Sequence, residues 1–178
     1  PAWLQKRHFG CLMANARLAL VHSAFDPRTG VLLLNIPGQA PIAEDTLTES
    51  GRLAIAAALS AYMAEDARGT PTFVEAPGHS FSDVAAKVVS IIGLGSIHAL
   101  EEKMGVALDP LRFRANVYVS GSHPWAEFDW MGQEIQLGQA RLRVVKRIQR
   151  CPATDVNPAT GERDCKPTRA LREAYGHM

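Results

Sequence analysis

The chain has 178 residues, 47% of them apolar, and a formal net charge of +1, which is enough for one domain with a proper core and too little for two full ones. A charge so near zero argues against a dedicated nucleic-acid or membrane-surface protein, and runs such as residues 88–92 fall far short of a membrane span. Three cysteines at positions 11, 151 and 165 form no CxxC pair or zinc spacing, so neither a disulfide framework nor a structural zinc site is indicated, and a reducing compartment fits best.

The opening PAWLQKRHFG lacks the apolar core of a signal peptide, so the sequence reads as cytoplasmic. Residues 19–25, a turn at Asp26, Pro27, Arg28, Thr29 and Gly30, and residues 31–36 predict a hairpin. Pro37, Gly38 and Pro41 then interrupt the sheet. Thr46 with Glu49 three residues on has the form of a capping box. The helix that follows places Ile55, Leu59, Tyr62 and Met63 on one stripe and ends near Gly69 and Pro71. Residues 72–75 read as a short strand, and residues 76–83 as a loop carrying His79.

Residues 87–92 predict a strand, followed by Gly93, Leu94, Gly95 and Ser96 and a helix over 97–104 that Gly105 ends. A dinucleotide fingerprint would want a glycine where His98 stands, and the P-loop lysine is missing. A helix start at Ser96 still offers free amides to an anion, with an ordinary serine cap as the plainer reading. In residues 112–118, Arg112, Arg114, Asn116 and Tyr118 alternate with Phe113, Ala115 and Val117, which predicts a strand with a cationic face. Residues 120–130 are a loop carrying Trp125, Glu127, Asp129 and Trp130, and residues 134–145 a hairpin turning at Gly138 and Gln139. Residues 157–161 (NPATG) form a turn, and residues 167–175 a short helix. His8, His22, His123 and His177 show no ligand spacing.

The stretch with the most chemistry is residues 141–164, RLRVVKRIQRCPATDVNPATGERD. Pro152 biases Cys151 toward extended geometry, so the thiol is expected at a strand end. With a period of two, Arg141, Arg143, Arg147 and Cys151 share one face while Leu142, Val144 and Ile148 pack on the other. Cations beside a cysteine favour its thiolate, which could serve as nucleophile, redox centre, sulfur carrier or soft-metal ligand. Packing is the plainer role for a cysteine.

The ordered set VVSIIGLGSIHALEE, RFRANVYVSG, PWAEFDW, IQLGQARLRVV and QRCPATDVNPATGERD resembles the MOSC domain, over roughly residues 83–175. That domain ends molybdenum cofactor sulfurases and also occurs in the mitochondrial amidoxime-reducing component and bacterial reductases of N-hydroxylated compounds. The resemblance implies a β-rich α/β fold, a MOSC-type β-barrel with a few flanking helices. It also implies a molybdenum–molybdopterin cofactor with Cys151 as metal ligand and catalytic residue. Arg114 and Asn116 fall in the family's segment near the pterin and its phosphate, and Arg112 matches the same segment with a structural role as its alternative; Ser96 at the helix start and Arg147 on the basic segment are the further cofactor-binding candidates.

Residues 1–45 then read as a remnant of the family's N-terminal β domain and 46–178 as the MOSC domain, shortened at both ends. Gly93 replaces a more usual polar residue. With no ferredoxin-like cysteine set in the sequence, electrons are expected from an external donor protein for a small-molecule substrate. The alternatives are a sulfur carrier or cofactor-delivery module holding a persulfide on Cys151, served by a sulfur donor, and an inactive scaffold. Neither nucleic acid nor membrane is expected as a partner, and exposed sheet edges predict self-association.

Overall fold

The computed structural model describes residues 8–67, 69, 71–75, 78, 84 and 86–176. The expectations for His79, for His177 and for the opening residues up to Arg7 lie outside them. The chain forms two compact units, Pro1–Lys87 with Val156–Glu162, and Val88–Asp155 with Arg163–Met178.

In the first unit, β1 (His22–Asp26) and β2 (Val31–Asn35) pair antiparallel, from His22 opposite Asn35 to Asp26 opposite Val31. Asp26 shapes the turn: its carboxylate accepts from the Arg28 amide at 2.9 Å and its carbonyl from the Gly30 amide at 2.9 Å. Gly30 sits there at φ 75°, a conformation glycine adopts without steric cost. A third strand, β3 (Ile42–Asp45), pairs antiparallel with β2 just beyond the prolines that were expected to end the sheet. Residues 72–75 are irregular where a strand was expected.

Helix α1 (Glu49–Met63) is capped by Thr48, whose hydroxyl accepts from the Gly51 amide at 3.1 Å. The hydroxyl of Thr46 donates instead to the Gly30 carbonyl at 2.7 Å, so the cap lies two residues later than the sequence pairing. Ile55 and Tyr62 of α1 bury against Leu34 and Ile36, the apolar stripe meeting one face of the sheet. The Tyr62 hydroxyl is satisfied by the Arg17 carbonyl at 3.0 Å, and the Arg17 guanidinium lies 4.6 Å from its ring centre.

In the second unit, β4 (Ile91–Gly93) runs parallel to β5 (Val117–Val119), with α2 (Leu94–Met104) following β4 directly. Gly105 ends α2 at φ 67°, the left-handed stop expected of glycine. A hairpin of β6 (Glu134–Leu137) and β7 (Ala140–Arg143) turns at Gly138 and Gln139, and α3 occupies Pro167–Tyr175. Ile92, Ile97, Leu100, Leu108, Phe113 and Leu171 form the core, with Tyr118, Trp125 and Cys165 packed on it.

The expectation of a β-rich barrel is overturned. The strands form three separate sheets of three, two and two strands, and the described residues close no barrel. The reason is local: residues 87–90 and 144–151 lie outside any strand, and the expected strand over 112–118 is cut down to Val117–Val119. The two-stranded pieces therefore have too few ladder partners to curl and close.

Gly51 is packed so tightly under β3 that a Cβ there would collide with the Asp45 carbonyl. Gly51→Ala is expected to cost about 1–3 kcal/mol, read as a lower midpoint in urea unfolding. An unchanged midpoint would show that α1 tolerates a side chain at its first turn.

Candidate functional site

The start of α2, read either as an anion site or, more plainly, as a serine cap, is filled by a carboxylate of the chain. Glu127 Oε1 accepts from the Gly93 amide at 3.2 Å and Oε2 from the Ser96 hydroxyl at 2.8 Å. Ser96, only 2% exposed, in turn accepts from the Trp125 amide at 2.8 Å. Free amides and the helix dipole favour a negative charge here, and Glu127 supplies it. The two glycines serve the same contact. A Cβ on Gly93 would lie 3.1 Å from Glu127 Oε2, and one on Gly95 2.9 Å from the Ser122 carbonyl. The G-x-G pattern thus lets the 122–127 loop approach the helix, and Ser96 braces that loop.

Residues 112–116 form no strand. Asp109 accepts from the Leu111 amide at 2.8 Å and Pro110 follows it, starting a 3-10 turn over Pro110–Phe113 that Arg114 ends at φ 49°. The Tyr118 hydroxyl ties this turn down by donating to the Pro110 carbonyl and accepting from the Ala115 amide, both at 3.1 Å. The arginines expected on one face are consequently separated. Arg112 is 5% exposed, with Nη2 2.8 Å from the Asp164 carboxylate and Nη1 3.2 Å from the Asp155 carbonyl. Arg114 is exposed and its guanidinium has no polar partner among the described residues. Asn116 accepts from the Ser90 amide at 2.9 Å and hydroxyl at 3.0 Å, aligning the approach to β4 and β5.

The expected face over 141–151 holds only at its beginning. Arg141 and Arg143 are exposed and Leu142 and Val144 half-buried, but Ile148, expected to pack, is exposed. Arg147 lies over the Phe128 ring at 4.4 Å and donates to the Phe128 carbonyl at 3.4 Å. Arg150 stacks at 5.8 Å from the Phe113 ring centre and donates to the Phe113 carbonyl at 3.3 Å. Burial holds the Arg150 guanidinium below its usual range, opposed by the nearby Tyr118, Cys151 and Glu127 groups. The sequence reading did not single out Arg150, although it directly precedes Cys151.

Cys151 is half-buried and in no disulfide. It leads into a 3-10 turn over Pro152–Asp155, and its carbonyl accepts from the Thr154 amide at 3.0 Å and hydroxyl at 3.1 Å. Asp155 is pushed above its ordinary value, first by burial, against the opposing pull of Arg163, Lys166 and Arg112. Cys165 is pushed up to about 11, mainly by burial, with Asp164 and Asp155 adding to the rise and Arg112 opposing it. The structure thus places Cys151 beside Arg150, gives Ser96, Arg112, Asn116 and Arg147 partners within the protein, and leaves Arg114 open.

A ββ unit joined by a helix, a braced α2 start and a thiol on a short turn after an arginine-rich segment define a domain rather than an activity. Residues 76–176 match the MOSC domain, and the chain belongs to that family. It is 34% identical to the molybdenum cofactor sulfurase of Danio rerio over 62 residues, 35% of this chain and 7% of that protein. It is 32% identical to mitochondrial amidoxime-reducing component 1 of Xenopus laevis over 76 residues, 43% of this chain and 22% of that protein. The chain therefore spans less than a quarter of the length of either relative. Among the described residues, no helix is long and apolar enough to cross a membrane.

Removing the Glu127 carboxylate leaves the Gly93 amide and the Ser96 hydroxyl without their acceptor. Glu127→Ala is expected to cost about 1–3 kcal/mol in thermal unfolding, and Glu127→Gln clearly less. Equal stability of Glu127→Ala and the parent would remove the brace. For Cys165, a folded value of about 11 against an ordinary 9.0 favours the neutral thiol in the fold. Its contribution to stability is present below pH 9 and lost as pH rises toward 11. Alkylation of Cys165 in the folded chain should stay slow at pH 8 and accelerate only toward pH 11, followed by peptide mass spectrometry.

Proposed function

We propose that this chain is a molybdenum-cofactor protein in which Cys151 is the metal ligand, acting in the reduction of N-hydroxylated compounds. The observation that carries the reading is the placement of Cys151: a half-buried thiol, next to the half-buried Arg150, at the head of a held turn. The names of the two relatives, one a molybdenum cofactor sulfurase and the other an amidoxime-reducing component, point the same way.

The residues fit the metal end of such a group. Molybdenum in this setting takes soft donors, and a thiolate is one. No group of three or more His, Cys, Asp or Glu side chains among the described residues is placed to hold a metal ion, so Cys151 would serve as a single protein donor. At the phosphate end the fit rests on Arg114. Ser96, Arg112, Asn116 and Arg147 already have partners within the protein, whereas Arg114 is exposed and its planar fork suits a phosphate. When bound, the cofactor supplies the redox chemistry, with electrons from an external donor protein. The chain's own work is to present one thiol, to hold it beside Arg150 and to offer Arg114 to the anion.

A second reading, a sulfur carrier with a persulfide on Cys151, is favoured by the match to the sulfurase. The mass of the intact native protein separates the two, since a pterin complex and a single added sulfur differ widely.

The test of the first reading is cofactor retention after expression in a molybdenum-replete host. Cys151→Ser is expected to abolish retention. Arg114→Ala is expected to weaken it by about 2 kcal/mol, roughly thirtyfold, at the low end for a charge contact because the residue is open to solvent. Thermal unfolding of the cofactor-free variants controls for fold. Full retention in Cys151→Ser would remove the thiolate ligand from the function.

A further inference from the structure

We infer that Arg112 and Arg163 are positioning residues for Cys151, clasping the turn behind it by its backbone carbonyls. The inference rests on the reading of Cys151 as the working thiol.

The turn is four residues long, Pro152–Asp155, and a 3-10 segment of that length has poor hydrogen-bond geometry and little cooperativity of its own. Two of the hydrogen bonds that hold it come from outside the turn. Arg163 Nη1 donates to the Pro152 carbonyl at 2.7 Å, and Arg112 Nη1 donates to the Asp155 carbonyl at 3.2 Å. Within the turn, Thr154 donates twice to the carbonyl of Cys151 itself. Consecutive peptide groups at 151 and 152 are thereby fixed, as is the turn's last carbonyl at 155. The direction in which Cys151 projects follows from these peptide planes, because the ring of Pro152 has already fixed its own φ.

The two clasps differ in how they are anchored. Arg112 is buried and locked by Asp164 at 2.8 Å, so replacing it disturbs packing as well as the turn. Arg163 is exposed, and its hydrogen bond to the Pro152 carbonyl is charge-assisted, the stronger kind. A change at Arg163 therefore loosens the head of the turn without opening the core. The second unit thus devotes two cations to backbone carbonyls around a turn whose remaining task is to aim a thiol.

The experiment is carried out on the full, cofactor-free chain. Iodoacetamide labelling of Cys151 is followed by peptide mass spectrometry and divided by the rate of Cys11 in the same molecule. Arg163→Gln is expected to raise the Cys151 to Cys11 ratio by about threefold to tenfold, with an unchanged melting temperature, and Arg163→Lys to return it toward the parent value. A ratio in Arg163→Gln that stays at the parent value overturns the clasp, whether or not the melting temperature moves. Retention in Cys151→Ser is a separate readout. A moved ratio with full retention in Cys151→Ser would leave the clasp standing and defeat the cofactor reading. An unmoved ratio with lost retention would do the reverse.

Discussion

The carboxylate of Glu127 is the contact on which the second unit is arranged. It sits where α2 begins, accepting from Gly93 and Ser96, and a helix start is a place where the backbone itself favours an anion. Ser96 then holds the Trp125 amide, Trp125 stacks on Phe128 at 5.7 Å and meets the Tyr175 ring at 4.3 Å, and Arg147 covers Phe128. Arg150 feels the same carboxylate. One acidic side chain thus connects the loop at 122–128, the first turn of α2 and the arginine that precedes Cys151. An internal carboxylate is also always present, unlike a dissociable ligand, so the helix start is satisfied in every state of the protein.

The arginines of the unit divide according to the backbone that carries them, not according to their spacing in the sequence. Arg112, within a 3-10 turn, points inward and is paired with Asp164. Two residues on, Arg114 has a left-handed backbone and lies open to solvent. Burying a guanidinium is costly unless its donors are met; for Arg112, Asp164 and the Asp155 carbonyl meet Nη2 and Nη1, leaving the buried Nε without a partner among the described residues. Arg147 and Arg150 instead lie over the Phe128 and Phe113 rings at 4.4 and 5.8 Å, contacts that attract a guanidinium to a ring. A shared cationic face would have required a continuous strand, and the chain does not form one.

That division marks how far the sequence could be read. Elements with their own local signals were legible: α3 over Pro167–Tyr175, the hairpin at Gly138, the hairpin at Gly30 and the stop at Gly105. The false strand over 112–118 arose because its alternation matched a period of two. The competing signal was present in Asp109 and Pro110, a side-chain cap followed by proline at the first position of a turn. The role of Glu127 was not legible, since its partners lie 31 and 34 residues away and nothing in WAE announces them. The barrel failed for a related reason: residues read as strands were too short, or left the ladder, and pairing depends on partners that periodicity does not name.

The contrast between the two thiols of the second unit is likewise set by surroundings. Cys165 packs on the core, with Asp164 and Asp155 nearby, and every acidic neighbour makes its thiolate harder to form. Cys151 follows the half-buried Arg150 and heads a turn in which the Pro152 and Asp155 carbonyls accept from Arg163 and Arg112. The two thiols stand fourteen positions apart in sequence, and Asp164 and Asp155 both act on Cys165. Arg112 stands between these environments, with Nη2 on Asp164 and Nη1 on the turn that Cys151 leads. It pairs with Asp164 beside Cys165, and the same planar group donates to the turn behind Cys151. A lysine there could supply the charge but not both directed donors, which is why the identity of this buried cation, and not only its sign, bears on the thiol chemistry.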